Sequence, residues 1–240
     1  MHTFFVGDLH LSANRPDITH AFNAFLDTLT ANTDALYILG DLFDVWVGDD
    51  LAEPFALDIA NKLKTISTQL PIYFIHGNRD FLIGKAYAER SGMTLLPEIT
   101  RVELYGAHYV LLHGDSLCTL DKSYQRFRTF RNWSWSKWIY NHLPKQARQN
   151  IARKLRKNSQ NVNQTKSYSI MDVEPNAVDT LLSTTQSQYM IHGHTHKPDI
   201  HVLKQNRKRI VVGDWYDQGS ILKLSKAGIE LNQLPFSTKD

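Results

Sequence analysis

"PIYFIHGNRD", residues 71–80, is an apolar run rich in β-branched and aromatic side chains that ends abruptly in a glycine, an amide, a cation and a carboxylate. An apolar run this short fits a strand covered on both faces. The same arrangement recurs along the chain. "TFFV" (3–6) leads into Gly7-Asp8-Leu9-His10, and "ALYIL" (35–39) into Gly40-Asp41-Leu42-Phe43-Asp44. "YVLL" (109–112) leads into His113-Gly114-Asp115, and "YMI" (189–191) into His192-Gly193-His194-Thr195-His196. "RIVV" (209–212) is a further run of this kind. Helical spacing lies between several of them, as in Ile18, Phe22, Phe25, Leu26 and Leu29, or Ile59, Leu63 and Ile66. Alternating strands and helices predict an α/β fold, a sheet covered by helices. In open α/β sheets ligands collect beyond the carboxyl ends of strands, so the five polar segments are expected to converge.

The 240 residues, 42% of them hydrophobic, can bury a substantial core as one large domain or two small ones. The single cysteine, Cys118, excludes an internal disulfide and a thiolate metal cluster, and fits a reducing compartment. "MHTFFVGDLH" reaches polar and acidic residues too early for a signal peptide, and no run of 18 apolar residues suits a membrane span. The net charge of +3 conceals an asymmetry. Between Lys122 and Lys166 stand twelve Lys or Arg and no acid, which leaves 15 basic against 24 acidic residues elsewhere. Such exclusion of acids points to an anionic partner: nucleic acid, a phosphorylated substrate or a membrane surface. The strand–helix rhythm also breaks here. "WSWSKWIYNHL" sets Trp135, Trp138, Ile139 and His142 on one helical face, Pro144 interrupts, and Ala147, Ile151 and Leu155 begin a second amphipathic pattern. The segment reads as a helical insertion, with Trp133, Trp135 and Trp138 as core or as an apolar contact face.

The strand ends carry a chemical signature. Two carboxylates (Asp8, Asp41), one amide oxygen (Asn78) and four imidazoles (His10, His113, His194, His196) are too many ligands for one tetrahedral ion but suit two. Oxygen and nitrogen donors without sulfur suit Mn²⁺, Fe or Zn²⁺. Two ions roughly 3.5–4 Å apart suit in-line displacement at a phosphoester. His76 and His192 read as structural, and Asp44, Asp80 and Asp115 as groups that orient ligands.

In this order the segments resemble the calcineurin-like metallophosphoesterase superfamily, whose pattern is D-x-H, G-D-x-x-D, G-N-H-D/E, a lone H and G-H-x-H. The resemblance implies a four-layer αββα sandwich, with a core of residues 1–121 and 171–240 and a helical lid at 122–170. It implies one metal on Asp8, His10, Asp41 and His196 and another on Asp41, Asn78, His113 and His194, with Asp41 bridging. The departure is Arg79, where the superfamily has histidine beside the leaving group. A leaving alkoxide benefits from a proton donor, whereas a leaving phosphate, with a second pKa of about 6, needs charge neutralisation. Arginine supplies charge and bidentate hydrogen bonds but no proton, so Arg79 points to a pyrophosphate bond.

Longer stretches, including "TDALYILGDLFDVWVGDD", "YFIHGNRDFLIGK", "SGMTLLPE", "HGDSLCTLD" and "IHGHTHKP", are similar to the UDP-2,3-diacylglucosamine diphosphatase family of lipid A synthesis. That resemblance implies hydrolysis of UDP-2,3-diacylglucosamine at the α-phosphate to UMP and 2,3-diacylglucosamine 1-phosphate, at the cytoplasmic face of an inner membrane. Arg79 and Asp41 are the expected catalytic residues and Mn²⁺ the first choice of ion. Expected substrate contacts are Asn78, Arg79, Asp121, Ser159, Asn163, Lys166 and His194, and neither nucleic acid nor an obligate protein partner is implied. Two rivals are a metal-dependent nuclease or phosphomonoesterase, against which Arg79 argues, and a non-catalytic scaffold, against which the intact ligand set argues.

Overall fold

Strands β1 (His2–Val6), β2 (Thr33–Ile38), β3 (Ile72–Phe74) and β4 (Met93–Leu95) lie side by side and parallel, joined through helices α1 (Pro16–Asp27), α2 (Pro54–Ser67) and α3 (Lys85–Ser91). This computed structural model describes residues 1–165 and 172–236, with the backbone alone over 156–165. Antiparallel β10 (Gln218–Ser225) and β11 (Gly228–Pro235) extend the sheet beyond β1. A second sheet has the order β5-β6-β7-β9-β8, from β5 (Thr100–Leu104), β6 (Ala107–Leu111), β7 (Tyr189–His192), β8 (Asp199–Val202) and β9 (Lys208–Val211). Its centre, β6-β7-β9, is parallel.

Two sheets stand where the alternation of strand and helix predicts one. Along β2, Leu36 and Ile38 point into a core shared with α1 and α2, while Ala35, Tyr37 and Leu39 point into a second core with Tyr109, Leu111, Ile191 and Ile210 of the other sheet. Both faces are apolar, so the sequence does not distinguish a helix from a second sheet as the cover. On the far side, α7 (Pro175–Thr184) lays Val178 and Leu182 over Val110, Leu112 and Met190. Helix, sheet, sheet, helix is the four-layer αββα order.

Helices α4 (Lys122–Asn132), α5 (Ser134–His142) and α6 (Lys145–Thr165) occupy the predicted insertion, with Pro144 between the last two. The expectation that its basic residues are free for an anionic partner needs correction. Arg131 and Arg148 are buried and Arg128 nearly so. Arg128 and Arg131 both donate to Asp115 at 2.9 Å, and Arg148 grips Asp50 at 2.5 and 2.8 Å. These three bolt the insertion to the core. The tryptophans are not core: Trp133, Trp135 and Trp138 are 49%, 51% and 61% exposed, with the rings of Phe130, Trp133 and Trp135 packed on one another. No helix among the described residues is long and apolar enough to cross a membrane.

Candidate metal centre

The predicted convergence is present. β1, β2 and β3 are neighbours in one sheet and β6 and β7 in the other, so all five polar segments leave strands at one end of the sandwich. Main-chain bonds stitch the loops together: Asp8 N–H to Gly40 O, His10 N–H to Asp41 O, and Gly193 N–H to His113 O, at 2.8–3.1 Å. Asp8, His10, Asp41, His194 and His196 all have φ between 50° and 69°. That left-handed region costs a non-glycine residue on the order of 1–2 kcal/mol each, and such strain concentrates at functional sites. Gly40 is itself at φ 84°, and a Cβ there would lie 2.6 Å from Gly77 and 2.8 Å from His113 Nδ1. Only a bare backbone lets the ends of β2 and β3 come this close.

Asp80 holds these loops rather than facing the centre. Its buried carboxylate accepts from the N–H groups of Leu42 (2.7 Å), Gly77 (2.9 Å) and Asp41 (3.3 Å), and burial, with the charge of Asp41, raises its pKa to about 6. His76 bonds to the Ile83 carbonyl at 2.7 Å, and His192 is buried with its Nδ1 on the Gly193 carbonyl, so both are structural as expected.

The ligand-type atoms form two overlapping groups. Atoms of Asp8, His10 and His196 lie within 4.8 Å of one another, as do atoms of Asp8, Asp41 and His113. Asp41 also reaches both halves, with Oδ2 4.0 Å from His10 Nε2 and 3.7 Å from His113 Nε2. His113 Nδ1 bonds the Leu39 carbonyl at 2.8 Å, which fixes the tautomer and leaves the lone pair on Nε2. In the neutral ring that lone pair faces Asn78 Oδ1 at 3.1 Å, an acceptor against an acceptor, which either a proton on Nε2 or a cation between them relieves. The ring of His194 lies edge-on to His113 at 5.1 Å. His196 Nδ1 is 2.8 Å from Asp214 Oδ2, so its Nε2 faces Asp8 Oδ1 and His10 Nε2, each at 3.4 Å. Asp8 Oδ1 is buried without a hydrogen-bond partner.

Converging acceptors and an orphaned buried carboxylate oxygen are what a cation between them would satisfy, so the residues fit a metal centre. The titration behaviour of His10 and His194 agrees. Burial, the Asp8 charge notwithstanding, pushes His10 down to about 4, and burial with His113 pushes His194 to about 3, keeping both rings neutral for ligation. Burial raises Asp41, while the neighbouring imidazoles, His196 foremost, overcome burial and hold Asp8 below the usual carboxylate range. His113 and His196 go the other way: against burial, Asp41 and Asp8 raise His113, and Asp8 and Asp214 raise His196 to about 10. Without an ion a proton answers the negative charge here.

Other expected site residues are placed unevenly. The N–H of Arg79 donates to Asp41 Oδ1 at 2.8 Å, and its half-buried guanidinium has no hydrogen-bond acceptor among the described residues. Asp121 caps α4, accepting from Tyr124 N–H at 3.1 Å and the Ser123 hydroxyl at 2.8 Å, a structural task beside the substrate contact expected of it. The side chains of Ser159 and Asn163, and Lys166 altogether, lie outside the described residues. The sequence reading did not single out Asp214 or Tyr216, although "RIVV" runs into Gly213-Asp214 with the same strand–glycine–aspartate punctuation as β1 and β2. The Tyr216 ring lies flat on His10, 5.4 Å between centroids at 12°.

Residues 1–198, which include all seven ligand-type positions, match the calcineurin-like phosphoesterase family. The chain belongs to that family. Among curated relatives, the UDP-2,3-diacylglucosamine hydrolase of Shewanella piezotolerans is 68% identical over 98% of this chain and 99% of its own. That of Shewanella oneidensis is 63% identical over 99% and 100%. A solved archaeal phosphodiesterase is 13% identical with a TM-score of 0.50, covering 98% of this chain and all of its own, a likeness of fold alone. Phosphoester hydrolysis at a metal centre is thus the family chemistry that this constellation fits.

Proposed function

We propose that the protein hydrolyses UDP-2,3-diacylglucosamine at the α-phosphate, releasing UMP and 2,3-diacylglucosamine 1-phosphate. The observation that carries this is end-to-end likeness to relatives of that name, 62–68% identical over about the whole of both chains. Arg79 supports it independently. In the reaction the bond from the α-phosphorus to the bridging oxygen breaks, water supplies the new P–O bond, and the β-phosphate departs on the sugar. The departing group is a phosphate, and a guanidinium neutralises it without giving up a proton.

Two divalent ions, Mn²⁺ in our assignment, would supply a nucleophile at neutral pH and clamp the phosphoryl oxygens. Asp8, His10, Asp41 and His196 would hold one and Asp41, Asn78, His113 and His194 the other. The 2.8 Å bond from the Arg79 N–H to Asp41 ties the Arg79 backbone to the proposed bridging ligand. Asn78 and His194, with Asp121, Ser159, Asn163 and Lys166, are the proposed substrate contacts. Residues 122–170 act as a lid over the core of 1–121 and 171–240. Its half-exposed Phe130, Trp133 and Trp135 suit acyl chains and the interfacial layer of a bilayer, and exposed Lys122, Arg126, Arg153 and Lys154 suit anionic headgroups. The protein then works as a peripheral enzyme on the cytoplasmic face of the inner membrane.

The deciding experiment is turnover of UDP-2,3-diacylglucosamine after chelation and addition of single divalent ions, run in ¹⁸O-water. Mn²⁺ is expected to restore activity, the label to appear in UMP and not in the lipid phosphate, and Asp41→Ala to be the most damaging ligand substitution. No UMP with any ion, or cleavage of single-stranded DNA in its place, sinks the assignment.

A further inference from the structure

Arg131 lies outside the ligand set, yet it is the buried cation nearest to that set's supports. Its Nη1 donates to the Asn78 carbonyl at 3.0 Å, its Nη2 to Asp115 Oδ2 at 2.9 Å and to the Tyr124 hydroxyl at 3.2 Å, and its guanidinium lies over the Phe81 ring at 4.7 Å. The carbonyl it holds belongs to the peptide between Asn78 and Arg79. The N–H of that same peptide donates to Asp41 Oδ1 at 2.8 Å, so one peptide plane is pinned by the insertion on one edge and by a ligand carboxylate on the other. Donation to the carbonyl polarises the peptide and strengthens the bond from its N–H. Asp115, the second anchor, stands two residues beyond His113, which faces Asn78 across 3.1 Å. Tyr124 (2.6 Å) and Arg128 (2.9 Å) donate to the same Asp115 Oδ2, so three donors from α4 converge on one oxygen.

We infer that Arg131 is a positioning residue: it ties the Asn78–Arg79 peptide and the turn after His113 to α4, so that seating of the insertion sets the Asn78/His113 half of the metal centre. The inference rests on the two-ion reading above. Arg148 provides the internal contrast. It too is a buried insertion arginine clamped to a core carboxylate, Asp50, but its other partner is the Val47 carbonyl, six residues beyond Asp41 in the loop after β2, so it holds the far end of that loop and no peptide bonded to a ligand carboxylate.

The test is a Mn²⁺ titration of the chelator-stripped full chain, followed by calorimetry and by electron paramagnetic resonance, beside kcat, KM and thermal unfolding. Wild type should bind two equivalents. Arg131→Met should keep the first and bind the second about 10- to 100-fold more weakly, with kcat falling by a similar factor and KM nearly unchanged, the size seen when groups that orient metal ligands are removed. Arg131→Lys, which keeps the charge but cannot fork between two acceptors, should recover part of both; if Arg131→Met does not fold, this variant decides by the same readout. Arg148→Ala should lower the melting temperature yet retain two tight equivalents. Two tight equivalents in the Arg131 variants overturn the inference whatever the rate. Equal loss of the second ion in Arg148→Ala also overturns it, because seating would then be generic. A wild-type chain that binds fewer than two ions removes the two-ion reading itself, and this inference with it.

Discussion

Replacing Asp214 tests how the centre is built, because it lies outside the ligand set and bears on it through His196, with a longer 3.5 Å contact from the Tyr216 N–H. The Nδ1 to Oδ2 distance of 2.8 Å makes a charge-assisted hydrogen bond, which fixes the ring and raises the basicity of Nε2 toward the centre. Asp214→Ala loses both the orientation and the charge. A 10- to 100-fold weaker hold on the ion at His196 is expected, or about 1.4–2.8 kcal/mol at 1.4 kcal/mol per tenfold. Asp214→Asn keeps an acceptor oxygen and should fall at the lower end. Competition with a fluorescent chelator for Mn²⁺ reads the affinity, and kcat on the lipid nucleotide should follow it. Folding stability is the control. Both side chains of the pair are about a quarter to a third exposed, so in the chelated protein the loss should stay within ~1 kcal/mol. His196 is raised from 6.5 to about 10, so the stability it gains from its anionic neighbours is fully present below pH 6.5 and lost as pH rises through 10. The gap between chelated wild type and Asp214→Asn should therefore narrow across that window in urea titrations. If Asp214→Ala binds both ions as tightly as wild type and turns over at the wild-type rate, the carboxylate is not supporting His196 and the reasoning fails.

Arg79→Ala should lower turnover by roughly 10²-fold or more with metal content unchanged, and Arg79→His retaining full activity on the pyrophosphate would end the argument from leaving-group acidity. Gly40→Ala should cost about 2–5 kcal/mol in urea unfolding, since the new Cβ meets Gly77 at 2.6 Å at a φ of 84°; a loss under 1 kcal/mol would show that the loops yield freely. If acyl burial contributes about 0.8 kcal/mol per buried CH₂, UDP-glucosamine without its chains should be a far poorer substrate, and equal kcat/KM would leave the insertion without a lipid role. Reversing the charges of Arg153, Lys154, Arg156 and Lys157 should weaken binding to anionic vesicles, most at low salt, and leave metal content intact, as sedimentation would report.

The centre was legible because each strand announces itself as an apolar run and each ligand sits just beyond one, so the order of motifs along the chain gives their meeting place in space. Asp8, His10, Asp41, His113 and His196, whose ligand-type atoms the structure brings together, needed nothing more. Asp214 obeys the same rule after β9, but one Gly-Asp pair without a histidine carries little weight, and the residues that match the family end at 198. The short edges β4, β5 and β8 and the C-terminal hairpin β10–β11 were missed because three to eight residues of mixed polarity lack a clear period. The insertion was misread for a different reason. Charge counting treats every arginine alike, whereas burial sorts them by partner, and the acids that claim Arg128, Arg131 and Arg148 stand far away in sequence, at Glu98, Asp115 and Asp50. With those three set aside, Lys122, Arg126, Arg153 and Lys154 are exposed and form no ion pair with a core acid among the described residues, and the half-exposed tryptophans stand between them in the chain. The insertion is therefore two surfaces in one segment: a neutralised inner face that reaches the Asn78 peptide, and a basic aromatic outer face. Were a bilayer to engage the outer face, it would bear on α4, the helix whose Arg131 holds the Asn78 carbonyl.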